Sequence, residues 1–478
     1  MPDPAPVPSL RLTDFSDRLS PMLVKELRQG MRTNLFTIAF ILLQAFMVLC
    51  VLIGASAPGD ASGVSGFFWF FVIVALLIVM PIRGFSALTS EINLNTMDLI
   101  QLTKLGAWRV TFGKWAALVA QTLLLACGIL PYLVMRYFFG GIDLINDLFS
   151  LFWVIVISMV LTAITVGFSA FRSVLLRATV AVCIFIAVNI GSQLAFSFTS
   201  LLGNPMSSGV SGGVAIWTFL ASLLSAAYLG WFMLDLGASR IAPEAENHAT
   251  RKRLMALGFG LFILLLPLTG VKLSTCLVIT GILWMLVSLD ALTERPSIIP
   301  SILRPFATRW YLRPFSLLLS PGWPSGIFYY LLCATLFTAA IQLHTGLAGL
   351  TLGEVQITVG AAGMIVFPLI IIHLFFRRIT EPASIFGIYL LIQVCSATVA
   401  FLVMIMAEQT GVDETAYYFA PIPVTALFAG IADEEHGFLV FSAAAFGVLA
   451  VLVTMLHGLP WYRDTFRVIS QLRAAPRD

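Results

Sequence analysis

Leu35–Gly54 reads LFTIAFILLQAFMVLCVLIG and carries no charged residue. A helix needs about 20 consecutive apolar residues to cross the hydrocarbon of a bilayer, and this stretch supplies them. Eleven further runs repeat the pattern: Phe67–Met80, Trp115–Val134, Leu148–Phe168, Ala178–Phe196, Val214–Leu234, Leu254–Thr269, Leu273–Leu289, Ile327–Leu343, Ile357–Phe375, Ser384–Met406 and Phe438–Leu456. They are continuous and rich in Leu, Ile, Val and Phe. The strands of a membrane barrel would instead be short and alternating, so helices are expected.

The composition agrees. Of 478 residues, 59% are hydrophobic and only 11% charged, against about 25% charged in an ordinary soluble domain. Mean hydropathy is +0.97. So few charges cannot cover so much apolar surface in water. This excludes a soluble enzyme, a disordered tail protein and a nucleic-acid binder, and the net charge of +3 is too small to imply a polyanionic partner. The expected fold is an all-α polytopic integral membrane protein with about twelve transmembrane helices in two groups of six.

The basic residues orient that map. If the N-terminus is cytoplasmic and each run crosses once, all of the 27 Lys and Arg except Arg136 and Lys272 fall on the cytoplasmic side. The acids divide far more evenly, as a rule about Lys and Arg requires. Both termini are then cytoplasmic. The apolar stretch Tyr417–Ile431 carries Pro421 and Pro423, and counting it as a span would push Arg463, Arg467, Arg473 and Arg477 outside, so an external or re-entrant segment is expected there. Ala55-Ser56-Ala57 follows the first run like a cleavage site. The run and the 34 residues before it are too long for the usual signal peptide, so a retained first helix is expected. The six cysteines all lie in apolar runs without a CxxC pair, which fits buried thiols rather than a disulfide framework or a metal site.

The expected organisation is an N-terminal cytoplasmic segment (1–34), a first six-helix region (35–236), a polar linker (237–253), a second six-helix region (254–457) and a cytoplasmic tail (458–478). Within these, 290–326 is a long cytoplasmic loop rich in Pro and Arg, with room for a lateral helix.

Two polar segments carry more information than the spans. Ser20-Pro21 reads as an N-cap followed by proline at the first helical position. Leu23, Leu27 and Met31 then share one helical face, while Lys25, Arg28 and Arg32 lie on another. This is a basic amphipathic helix, too polar to span, expected in the cytoplasmic interface. Periodicity alone would allow a generic basic anchor. The second segment, 87–114, lies between the second and third runs. Asn95 and Asp98 read as a helix start, Met97, Leu99, Ile100 and Leu102 as an apolar face, and Gly106 as a stop.

Together these segments resemble the permease subunits of ABC transporters of the ABC-2 type. Ser20-Pro21-Met22-Leu23-Val24-Lys25-Glu26-Leu27-Arg28 is similar to the family's "NPxLxKELR" elbow helix. Glu91, Thr96, Asp98, Leu99 and Ile100 are similar to its "ExxxGTxDLL" stretch, with Leu102-Thr103 following as in "LLxLTPLS". Gly113-Lys114 matches the "GK" that opens the third helix, and Pro131 with Gly140-Gly141 fits the later "LP…GG". Asn95 stands where the family usually has Gly, and Lys104 where it often has Pro. Asn tolerates left-handed backbone better than most residues, so the first change is mild. The resemblance covers about residues 20–236.

What it implies is a mechanism. Such permeases pair with a separate ATP-binding subunit, and closure of that subunit pushes on a cytoplasmic coupling helix and on the elbow. Here the coupling role would fall to Glu91, Thr96, Met97, Asp98, Leu99, Ile100 and Leu102. The elbow would be Pro21, Leu23, Lys25, Glu26, Leu27 and Arg28. The implied protein is a multi-pass permease of the bacterial inner membrane, with that ATPase and a second permease copy as partners. It would have no cofactor and no catalytic or metal-binding residue of its own.

The chain itself has no Walker A loop. The nearest match, Gly106…Gly113-Lys114-Trp115, has the wrong spacing and puts Trp where a Mg²⁺-binding hydroxyl belongs. Two other functions compete with this reading. One is a permease-like scaffold with a structural or assembly role and no ATPase coupling. The other, a membrane-embedded enzyme, finds little support. None of His248, His344, His373, His436 and His457 forms HxxxH or HExxH, and the cluster Glu434-Glu435-His436 falls in an expected external loop. His373 alone sits well inside an apolar run, where a hydrogen-bonded packing role is as good a reading as a functional one. Arg83, at the inner end of the second run, is expected to snorkel, with contact to the coupling segment as the alternative. Arg136, with Tyr132, Tyr137 and Phe138, is expected to anchor the outer interface. Gln44, Gln121, Asn189 and Gln193 fit hydrogen bonding between helices, or less commonly a polar path.

Overall fold

The computed structural model describes residues 21–56, 61–93, 106–138, 143–171, 173, 176–182, 184, 212–243, 246–308, 310–345, 351–376, 379, 381–410, 418–431 and 436–474. Among them all regular structure is helical, and 11 helices are long and apolar enough to cross a membrane. The protein is an all-α polytopic membrane protein. Eleven of the expected runs coincide with these helices; the other, Ala178–Phe196, lies mostly outside the described residues. Many large apolar side chains face outward, among them Ile41 at 60% and Leu52 at 63% exposure, as lipid-facing positions do.

The described helices fall into two compact units, the first built mainly from residues up to Ala170 and 226–241, the second mainly from 209–225 and from Ala242 onward. In the first, a short helix α1 (Pro21–Met31) precedes the first span α2 (Asn34–Ser56). The second span, α3 (Ser65–Ser86), is composite: ordinary α-helix to Ile73, a π-helical stretch Val74–Val79, then Met80–Ile82 and a 3₁₀ turn Arg83–Ser86. The short helix α4 (Thr89–Asn93) follows. α5 (Ala107–Phe138) and α6 (Leu144–Phe168) pack side by side, and Asp143 caps α6 by accepting from the Ile145 N–H at 3.0 Å. The end of α7 (Gly212–Ile241) belongs to this unit and its beginning to the second.

The second unit continues with α8 (His248–Leu265), α9 (Leu273–Thr293), the short α10 (Pro300–Thr308) and α11 (Arg313–Leu319), then α12 (Trp323–Thr345), α13 (Leu352–Phe375), α14 (Pro382–Thr410), α15 (Pro423–Ile431) and α16 (Gly437–Ala474). The stretch expected to be re-entrant thus contains α15, a helix of 9 residues, too short to span. It packs on α13, α14 and α16 around Val403, Ala420, Ala426, Ala429, Leu439 and Ala443. Small residues let the backbones meet: a Cβ on Gly360 would lie 2.6 Å from the Leu427 backbone nitrogen.

Within 290–326 lie two short helices, α10 and α11. They pack on the far end of α16, where Leu303, Phe306, Ala307, Leu319 and Ile469 form a small core. That packing explains why α16 continues as one helix of 38 residues through the segment read as a tail. Hydropathy falls after Leu459, but Trp461, Thr465 and Ile469 stay buried.

Arg253, 1% exposed, fastens this ledge to the spans. Its Nη1 donates to the carbonyls of Leu318 at 2.9 Å and Ser320 at 2.8 Å, and to the Ser325 hydroxyl at 2.7 Å. Its Nη2 donates to Glu294 at 2.9 Å and the Gly322 carbonyl at 3.2 Å. Next to it Lys252 pairs with Asp290.

Candidate functional site

The motif residues that can be placed meet at the start of α5. Lys114 is 4% exposed. Its ammonium lies 3.0 Å from Glu26 of α1 and 2.9 Å from Glu91 of α4. A buried ammonium is costly unless it is paired and hydrogen-bonded, and here two carboxylates satisfy it. Helices α1, α4 and α5 thus meet at one buried cation. Thr96, Met97, Asp98, Leu99, Ile100 and Leu102 lie outside the described residues.

α1 packs along α5, with Leu23, Glu26, Leu27 and Gly30 half-buried and Lys25, Arg28 and Met31 exposed. Met31 therefore leaves the face it shares by periodicity with Leu23 and Leu27, and Glu26 takes part in the inner face. Nothing is described of the Pro21 side chain.

Arg83 corrects the snorkelling expectation. It is half-buried and turns inward, donating to Gln121, to the Gly30 carbonyl at 3.1 Å and to the Thr33 hydroxyl at 3.2 Å. Its guanidinium also lies 5.6 Å from the centre of the Phe36 ring. One side chain therefore ties the second span to the end of the elbow, to the turn into α2 and to α5. The 3₁₀ turn that carries Arg83 is itself held to α6. Thr89 donates to the Ser169 carbonyl at 2.6 Å, and the Leu88 N–H donates to the Ser169 hydroxyl at 3.1 Å.

Arg136 corrects a second expectation. It lies 22 positions beyond Lys114 in α5, about 33 Å along the axis at 1.5 Å per residue. Rather than anchoring an interface, it is 2% exposed. It faces Asp147 at 3.4 Å, donates to Ser65 at 2.8 Å and covers the Phe68 ring at 4.1 Å. Tyr137 and Phe138 do stay exposed beside it.

The histidines give no comparable assembly. Among the described residues no group of three or more His, Cys, Asp and Glu is placed to hold a metal ion. The His373 and His457 rings lie tilted to one another with centres 5.5 Å apart, and each Nδ1 is 2.8 Å from the carbonyl one turn back. The His436 N–H donates to Gln356 at 3.0 Å, while Glu434 and Glu435 lie outside the described residues.

Comparison of the chain with protein-family models, with curated proteins and with solved structures finds no match.

Proposed function

We propose that the protein is the membrane-spanning subunit of an ABC-2-type transporter of the bacterial inner membrane, driven by a separate ATP-binding subunit. The observation that carries this reading is the three-way contact of Lys114 with Glu26 and Glu91. A push that reaches Glu91 is passed to both the elbow and the third span through one buried cation. Arg83 adds a second tie between the same elements. Packed, charge-paired elements transmit a displacement as a body, which is what an external motor needs. The ATPase would grip the 87–114 segment from the cytoplasm and the elbow's exposed Lys25 and Arg28 from the side.

The test is co-expression of the full chain with the ATP-binding subunits encoded near its gene, followed by purification in lipid and assay of ATP hydrolysis. A stable complex is expected. Its ATPase rate should respond to Glu91→Gln and Lys114→Met while assembly persists. If no ATP-hydrolysing companion associates, or if these variants leave a complex's coupled turnover untouched, the transporter reading falls.

A further inference from the structure

The far end of α16 presents a charged face that neither the fold nor the proposed coupling uses. Its apolar side, with Ile469, Val468 and Leu472, is occupied by α10 and α11. The opposite side carries Arg463, Phe466, Arg467, Ser470 and Arg473, spaced three or four residues apart on one helical stripe and all exposed. Arg467 is 71% exposed as a side chain, and Asp464, its partner at 3.3 Å, is the acid beside the stripe. The same ledge exposes Tyr311 at 45% and Phe315 at 46%, and Phe466 is exposed at 46%. Arg467 and the exposed Phe466, adjacent on the helix, are residue types enriched at protein interfaces.

We infer that this ledge docks an acidic surface of a soluble protein. Two observations favour that occupant over the lipid headgroups that basic segments often meet. A helix that lies on a membrane needs a free apolar face to bury there, and the apolar face of this one is already taken by α10 and α11. The stripe also leads away from the boundary. The closely spaced exposed apolar residues on α16 run to Leu459, with Phe466 alone beyond them, and Arg473 is 14 residues past Leu459, about 21 Å along the axis. Headgroup charge is largely screened over about 8–10 Å at physiological salt, whereas a protein surface can reach all three arginines at once. The inference is independent of the transport reading, since it does not require the partner to hydrolyse ATP.

The test places the full chain in nanodiscs of zwitterionic lipid and titrates a fluorescein-labelled decaglutamate peptide, read by anisotropy. Binding is expected to weaken at least tenfold in R463E/R467E/R473E, to weaken with salt, and to persist in R463K/R467K/R473K. The single variant R473E, at an exposed helix end, should show a smaller loss and guards against misfolding of the triple variant. Unchanged binding in the charge-reversed chains overturns the inference. A second arm labels S470C with an environment-sensitive dye, with the parent chain as blank. A blue shift confined to phosphatidylglycerol nanodiscs would place the stripe on lipid and overturn it as well. A spectrum indifferent to lipid charge supports a soluble occupant. Failure here leaves the Lys114 experiment unaffected.

Discussion

Lys114 in the first unit and Arg253 in the second are both buried cations near helix starts, yet they are held in opposite ways. Lys114 meets two carboxylates, one on each of two short helices outside the spans. Arg253 donates to three backbone carbonyls, a hydroxyl and one carboxylate, all from the 294–325 stretch. An ammonium is a point charge that tolerates rearrangement of its partners, whereas a guanidinium presents a rigid fork of donors. Carbonyls are fixed by the chain, while the Glu26 and Glu91 side chains can rotate. The first arrangement suits elements that shift against one another; the second suits a ledge that stays put.

The largest effect should come from breaking the rigid node. Arg253→Met leaves the half-buried Glu294 without its cation and takes a donor from each of the Leu318, Ser320 and Gly322 carbonyls. Loss of one partner from a buried pair costs about 3–5 kcal/mol. Thermal unfolding of the detergent-solubilised chain should fall by a wide margin, and Arg253→Lys should recover little of it, since one ammonium cannot reach so many acceptors. Full recovery by Lys would erase the contrast drawn above.

Lys114→Met should also destabilise, by about 3 kcal/mol, because two carboxylates lose their counter-ion. Neutralising those carboxylates in the same chain (Lys114→Met with Glu26→Gln and Glu91→Gln) should restore much of the loss. A multiple-mutant cycle in thermal stability measures the coupling. Additive losses would show that the three groups do not act as one node.

A smaller effect tests whether α8 depends on Arg253 alone. The Trp284 indole N–H donates to the Ala256 carbonyl at 2.9 Å, and a Cβ on Gly260 would lie 2.1 Å from that same nitrogen. Gly260→Ala should cost about 1–3 kcal/mol through overpacking. If melting is unchanged, the α8–α9 contact is looser than the structure describes. The smallest is a baseline remote from both nodes. Thr351 and Glu354 form a reciprocal cap on α13, with bonds of 3.3 and 3.1 Å. Thr351→Ala should cost about 1 kcal/mol and leave both nodes intact. An effect as large as that of Lys114→Met would mean that unfolding is not reporting on the nodes.

The spans were legible because the hydrophobic signal is local: the run Ser384–Met406, for example, lies within α14, Pro382–Thr410. Ends were less legible where packing decides them. α5 starts at Ala107 rather than Trp115, and α16 runs on to Ala474 because α10 covers its polar-looking extension. At the candidate site Glu26, Glu91 and Lys114 all lie in recognisable motifs. Their meeting was not legible, since Glu26 and Lys114 are 88 residues apart. Arg83 and Arg136 were misread for a related reason. A charge at the end of an apolar run gives the same sequence signal whether it turns out to the headgroups or in to Gly30 or Asp147. Only tertiary neighbours decide.

The π-helical stretch Val74–Val79 bears on all of this. A wider turn accommodates one residue more than regular winding would, so everything beyond it is set back by about 100° around the axis. Phe68, under Arg136 at one extremity of the rod, and Arg83 at the other are therefore clocked separately. Tightening that coil to ordinary pitch would leave the Phe68 end in place while swinging Arg83 off the elbow, so the unwound girdle works as a phase adjuster between the two extremities of a single rod.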